Sequence, residues 1–194
     1  MEKANPIKRF AIFASGEGSN AENVIRYFRD NGCRAEVPLI VCNNPTAGVI
    51  ARGASLDTEV RVVSRKEIND PSVLLPLMDA YAIDVVVLAG FLLMIPTFLI
   101  DRYRGRIVNL HPALLPKFGG KGMYGHHVHE AVVAAGERET GITIHHVSER
   151  YDEGEIIFRA ATEVAPDDTP SDVAAKIRGL EALHFPRVLA ETFL

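Results

Sequence analysis

The chain has 194 residues, with 21 basic against 25 acidic side chains and a formal charge of −4. That length suits a single domain over residues 1–194, and a content of 47% hydrophobic and 24% charged residues excludes global disorder. The mild negative charge, without a basic block, excludes an electrostatic footprint for nucleic acid or an anionic membrane. No apolar run reaches the ~18–20 residues of a membrane span, and residues 1–9 lack the apolar middle of a signal peptide. Cys33 and Cys42 are too few for a disulfide framework and lack metal-site spacing. Both read as core thiols in a reducing, cytoplasmic setting, and residues 1–8 read as a flexible start.

Apolar runs and helical stretches then alternate. Residues 9–14 (RFAIFA) read as a short buried strand, and residues 20–29 as a helix stopped at Asn31-Gly32. A second strand covers 36–42, a helix 47–56 and a third strand 59–63. Pro71 opens a helix that runs to Tyr81. Residues 84–89 (DVVVLA) carry three consecutive valines, which suit a parallel strand buried on both faces. A helix over 96–103 leads to a fifth strand at 106–110.

After that strand the rhythm changes. Residues 117–125 (KFGGKGMYG) are glycine-rich and read as a mobile loop. A helix over 126–135 is stopped by Gly136. Strands at 141–147 and 155–161 are joined through a tight turn at Tyr151-Asp152-Glu153-Gly154. A last helix begins at Ser171, with Pro186 ending or bending it. The pattern predicts an α/β chain, a single-domain, mostly parallel open sheet with helices on both faces. Ligands of such sheets bind outside the carboxyl ends of the strands.

The residues expected at those ends are unsuited to simple packing. Gly16-Glu17-Gly18-Ser19-Asn20 lies between a strand and a helix, where glycines admit a close ligand and helix-start N–H groups favour an anion. Ser19 with Glu22 also matches a capping box, so a plain turn and cap is the competing reading. Gly16, Gly18 and Ala21 fit a dinucleotide fingerprint. The acid that fingerprint needs at the second strand end is replaced by Asn43 and Asn44, which argues against a dinucleotide.

Asn109 and His111 close the fifth strand, two residues apart and therefore on the same side of it. An amide can hold a carbonyl while an imidazole moves protons near neutral pH. Asp152 lies in a turn, where Asp is ordinary, and spacing alone does not bring it to His111. His126, His127 and His129 invite a metal reading, with His126 and His129 able to share a helix face. No metal-site signature accompanies them, and His145 and His146 face opposite ways on a strand, so no metal is expected.

Taken together, Gly16-Glu17-Gly18-Ser19-Asn20, residues 84–91 (DVVVLAGF), residues 109–117 (NLHPALLPK) and the Tyr151-Asp152-Glu153-Gly154 turn resemble the folate-dependent formyltransferases, which have a Rossmann-like fold. The resemblance runs from about Lys8 to Phe193, and the glycine loop and bare length point to the purine-biosynthetic branch. It implies transfer of a formyl group from 10-formyltetrahydrofolate to the amine of 5-phosphoribosylglycinamide, without a metal. Asn109 and His111 match the family's catalytic pair, and Asp152 the carboxylate that partners the histidine. Gly18, Ser19 and Asn20 match the substrate-phosphate loop, and Glu181 a residue at the ribose. Leu92, Leu93, Met94 and Ile95, with Asn109, match the folate site, although Leu93 stands where many relatives carry Arg. Arg65 or Lys66 would supply a basic folate contact, and His145 a supporting histidine.

In the implied reaction the acceptor's own amine attacks the formyl carbon. Asn109 and a protonated His111 would donate to the oxyanion, and Asp152 would favour the charged imidazole. Partners would be these small molecules and a second copy in a homodimer, with no nucleic acid and no membrane. Hydrolysis of the formylfolate, a nucleotide-binding module without catalysis and a histidine-rich metal hydrolase are the competing readings.

Overall fold

The computed structural model describes residues 6–194. The expected flexible start falls largely on residues 1–5, outside the described residues, and Lys8 already belongs to the first strand. Strand β1 (Lys8–Ala14) is fully buried from Phe10 to Ala14, as a strand covered on both faces must be. Helix α1 (Ser19–Asp30) buries Ala21, Val24, Ile25 and Phe28, one stripe at helical spacing. Strand β2 (Ala35–Cys42), helix α2 (Val49–Ser55) and the exposed strand β3 (Glu59–Val62) follow. Cys42 is buried, but Cys33 is only partly so, which corrects its reading as a core thiol.

A short helix, α3 (Arg65–Ile68), escaped the sequence reading because it is one turn long and shows no period. Its signal was a capping box, with Ser64 and Glu67 satisfying each other's backbone N–H groups. Helix α4 (Pro71–Ala80) starts as expected, with Asp70 as cap and Pro71 in the first turn. Strand β4 (Val85–Leu88) is buried throughout, and helix α5 (Thr97–Arg102) precedes β5 (Ile107–His111). Helix α6 (His126–Ala134), β6 (Glu139–His146), β7 (Ile156–Glu163) and α7 (Pro170–Phe193) complete the described chain. Pro186 does not end α7. The backbone bond it forfeits is offset by burial of Phe185, Val188 and Leu189 around it.

The strands share one sheet in the order β3-β2-β1-β4-β5-β6-β7. Pairing is parallel among β3, β2, β1 and β4, whereas β5–β6 and β6–β7 are antiparallel. Packing divides the chain into two compact units. One runs to Ile107 and takes back Pro186–Leu194, and the other is Val108–Phe185. In the first, Phe10 meets Phe28 and Phe193 at ring distances of 5.0 and 6.0 Å. Strand order reverses between β1 and β4 in that unit, which makes the carboxyl ends of those two strands a natural ligand crevice. In the second, Val128, Val132, Ile142, Ile144, Val173 and Ile177 are buried.

Candidate active site

In the first unit, Ser15 ties three strand ends together. Its hydroxyl donates to Asn43 Oδ1 at 2.5 Å and accepts from the Leu92 N–H at 2.9 Å, while its own N–H donates to the Gly90 carbonyl at 3.0 Å. Asn43 thus works as a tether where a dinucleotide site would need an acid. Ser15 opens the run of strand-end residues that stand out in the sequence, but its part as a tether shows only in its partners.

The capping box that Ser19 and Glu22 offered as the competing reading does not form. Gly18 is the N-cap, in the left-handed region at φ 77°, and no side chain caps the helix. Glu22 turns instead to Arg26 and Arg52. The first helical bond runs from the Glu22 N–H to the Gly18 carbonyl at 3.0 Å, so N–H groups at the helix start point outward, as an anion requires. Ser19 stands exposed there and Asn20 is half-buried. Gly18 is demanded by packing as well as by its φ: a Cβ would lie 2.4 Å from Val49 Cγ2.

Leu92 and Met94 are about half exposed, at 50% and 48%, and offer apolar surface past the end of β4. Leu93 is half-buried. Ile95 is buried, at 6% exposed. Arg65 and Lys66 are both exposed on α3.

The second unit gathers Asn109, His111, His145 and Asp152. Antiparallel pairing sets Asn109 opposite His145 and His111 opposite Thr143, and the two-residue period puts all four side chains on one face. His145 Nδ1 donates to the His146 carbonyl at 2.8 Å, leaving Nε2 to accept from Asn109 Nδ2 at 3.1 Å. Thr143, which the sequence reading passed over, is fully buried. Its hydroxyl donates to the Ala113 carbonyl at 2.7 Å and accepts from the Leu115 N–H at 3.0 Å, fixing the chain just past His111.

Asp152 reaches this cluster because its turn folds back on β6. A Cβ on Gly154 would lie 1.6 Å from the His146 carbonyl oxygen, so only glycine permits that approach. Asp152 itself adopts φ 55°. Its Oδ1 is 3.4 Å from Asn109 Nδ2 and 3.6 Å from His145 Nε2, and its Oδ2 is 3.6 Å from His111 Nδ1. The Gly120 N–H donates to Oδ2 at 2.8 Å, and His111 Nε2 donates to the Phe118 carbonyl at 2.8 Å. The glycine-rich segment therefore holds the imidazole with a carbonyl and the carboxylate with an N–H. His111 Nδ1, too far from Asp152 for a strong hydrogen bond, is the nitrogen left for chemistry.

Burial lowers the His111 pKa from its ordinary 6.5, against the Asp152 charge and the Phe118 carbonyl, which raise it. The expected charged resting imidazole is thereby corrected. Asp152 pulls in the expected direction, but desolvation of a ring only 3% exposed outweighs it. For Asp152, burial pushes the carboxyl up, yet hydrogen bonding from its neighbours, the Gly120 N–H among them, holds it below its ordinary 3.8. It is therefore ionised at neutral pH.

Glu181 is half-buried on α7. The α6 histidines do not converge. His126 and His127 lie 3.5 and 3.3 Å from Glu130, whereas His129 is buried with Nδ1 unpartnered. Among the described residues, no group of three or more His, Cys, Asp or Glu could hold a metal ion. No helix among them is long and apolar enough to cross a membrane.

Residues 8–189 match the family model described as formyl transferase. The chain is 40% identical over 175 residues to the chloroplastic phosphoribosylglycinamide formyltransferase of Arabidopsis thaliana, covering 88% of this chain. It spans only 60% of that relative's length. It is 31% identical to phosphoribosylglycinamide formyltransferase of Bacillus subtilis, covering 95% of this chain and 94% of the relative. The crystal structure of phosphoribosylglycinamide formyltransferase from Bacillus halodurans superposes with a TM-score of 0.86 at 34% identity, over 95% of this chain and 94% of that one.

Proposed function

The chain belongs to the formyl transferase family, and from that premise we propose that it moves a formyl group from 10-formyltetrahydrofolate to the amine of 5-phosphoribosylglycinamide. Residues 1–194 act as one catalytic domain in this reading, in a cytoplasmic setting and as a homodimer. The observation that carries it is the Asn109, His111 and Asp152 cluster, with one imidazole nitrogen fixed and the other facing an ionised carboxylate.

The acceptor amine attacks the formyl carbon, and the formyl oxygen gains negative charge. Asn109 Nδ2 has two hydrogens. His145 takes one, and the second, only loosely engaged by Asp152 at 3.4 Å, is available to that oxygen. A donor aimed in this way contributes about 3–4 kcal/mol to transition-state stability. His111, neutral before attack and protonated on Nε2, accepts the amine proton at Nδ1. Asp152 then stabilises the imidazolium, which passes the proton to the departing folate nitrogen. Leu92 and Met94 would hold the pterin by apolar contact, with Leu93 beside them and Arg65 or Lys66 at the acidic tail. Gly18, Ser19 and Asn20 would hold the substrate phosphate, and Glu181 the ribose.

The test is to mix the protein with both substrates and follow formylated product and free tetrahydrofolate together. Equal formation of the two is expected, with little folate turnover when the acceptor is left out. Formate release at the same rate without acceptor would overturn transfer in favour of hydrolysis.

A further inference from the structure

The glycine loop at residues 16–20 does not hold its shape unaided. The start of α2 supports it from the first unit. The Val49 N–H donates to the Gly16 carbonyl at 3.1 Å, and Val49 fills the space a Gly18 side chain would need. The Glu17 carboxylate lies against Gly48, where a Cβ would come within 2.4 Å of its oxygen. One charged side chain joins these contacts. Arg52 Nε donates to the Glu17 carbonyl at 2.6 Å, and its Nη1 pairs with the Glu22 carboxylate. The guanidinium therefore spans the loop from the peptide just before Gly18 to the first turn of α1.

Two consequences follow from that bridge. The Glu17 carbonyl, fixed from below, sets the plane of the Glu17–Gly18 peptide and with it the aim of the N–H groups beyond. The Glu22 carboxylate, which would repel an anion at the helix start, has its charge met by Arg52 and by Arg26 Nε at 2.8 Å. A planar fork can do both at once, and a lysine could supply only a single point charge.

We propose that Arg52 is a positioning residue for the substrate-phosphate loop, aligning its peptides and cancelling the Glu22 charge. The inference rests on the reading of Gly18, Ser19 and Asn20 as the phosphate loop. Arg52→Ala should raise KM for 5-phosphoribosylglycinamide by about tenfold or more, the scale of a lost charge-assisted hydrogen bond. KM for the formylfolate and kcat at saturation should stay within about twofold. Arg52→Lys should restore part of the loss, and Arg52→Gln replaces the alanine variant if that one fails to fold. Inorganic phosphate should raise the melting temperature of the unmodified protein and do so far less in Arg52→Ala.

Ser19→Asp separates the two readings. A carboxylate at the helix start suits the helix dipole but repels phosphate. If Ser19→Asp leaves both KM values unchanged, the phosphate-loop reading fails and the role of Arg52 with it. If Ser19→Asp raises the ribonucleotide KM and Arg52→Ala does not, or raises both KM values equally, the loop reading stands and the positioning role is overturned.

Discussion

Asn109 and His145 stand opposite each other across β5 and β6, with Nδ2 of the amide 3.1 Å from Nε2 of the ring. The His146 carbonyl fixes the ring's tautomer, and the ring in turn fixes which end of the amide points where. Asn109→Ala should lower kcat by about 10²–10³, the range for losing one oxyanion donor. His145→Ala leaves the amide in place but free to rotate, so its loss of kcat should be smaller. A loss in the histidine variant equal to that of Asn109→Ala would show that His145 does more than orient the amide.

His111→Ala should bind both substrates and transfer formyl at least ~100-fold more slowly, the scale for a missing general acid or base. Substrate titrations alongside single-turnover rates separate binding from chemistry. Turnover near that of the unmodified protein would place the proton relay elsewhere.

Gly154→Ala tests how the Asp152 carboxylate is delivered to the cluster. The added methyl would sit 1.6 Å from a backbone oxygen, which cannot step aside as a flexible side chain can. The 151–154 turn must then lift from His146 and carry Asp152 with it. Activity should fall by about tenfold or more while stability drops by roughly 1–3 kcal/mol. Denaturant melts and kcat measured on the same preparation give both numbers.

That glycine also marks the boundary of what the sequence discloses. β1 and β4 were legible because unbroken apolar runs suit strands covered on both faces, and α1 because its apolar stripe has a helical period. Asn109 and His111 were legible as a pair because strand geometry alone puts i and i+2 on one side. Asp152 was not, since its place depends on a turn folding back across a strand end. Only family resemblance pointed to it. The roles of Ser15 and Thr143 were missed because a buried hydroxyl looks like any other core serine or threonine until its partners are known. The Ser19 and Glu22 capping box, the competing reading of the loop, does not form because Arg52, thirty residues away from Glu22, takes the carboxylate.

Acid should destabilise the fold through two buried histidines. Burial lowers the His129 pKa below 6.5, with the charges of His126 and Arg178 adding to it, and burial likewise lowers that of His111. The unfolded chain then binds protons more readily than the folded one. This contribution to stability is full above the unfolded value and is lost as pH falls through the folded values. The melting temperature should therefore fall as pH drops through and below the ordinary 6.5, and His129→Leu should shrink that fall. An unchanged acid limb in the variant would remove His129 from the account.

Asp152→Asn carries the most risk, because it removes a charge while keeping shape. The carboxylate raises the His111 pKa against the larger effect of burial, so the asparagine variant should titrate at still lower pH than the unmodified protein. Two losses follow. Nδ1 becomes a weaker base toward the attacking amine, and the imidazolium formed after attack loses its counter-charge across the 3.6 Å gap. Turnover should fall by at least ~100-fold with both KM values little changed, and the alkaline plateau of kcat should not restore it. Titrating His111 by NMR in both proteins is the direct measurement. A histidine pKa that stays put or rises in the variant would show that the carboxylate and the imidazole are not electrostatically paired. Asp152 would then serve to receive the Gly120 N–H and the Asn109 amide, and the stabilisation of the imidazolium would have to come from the substrate itself.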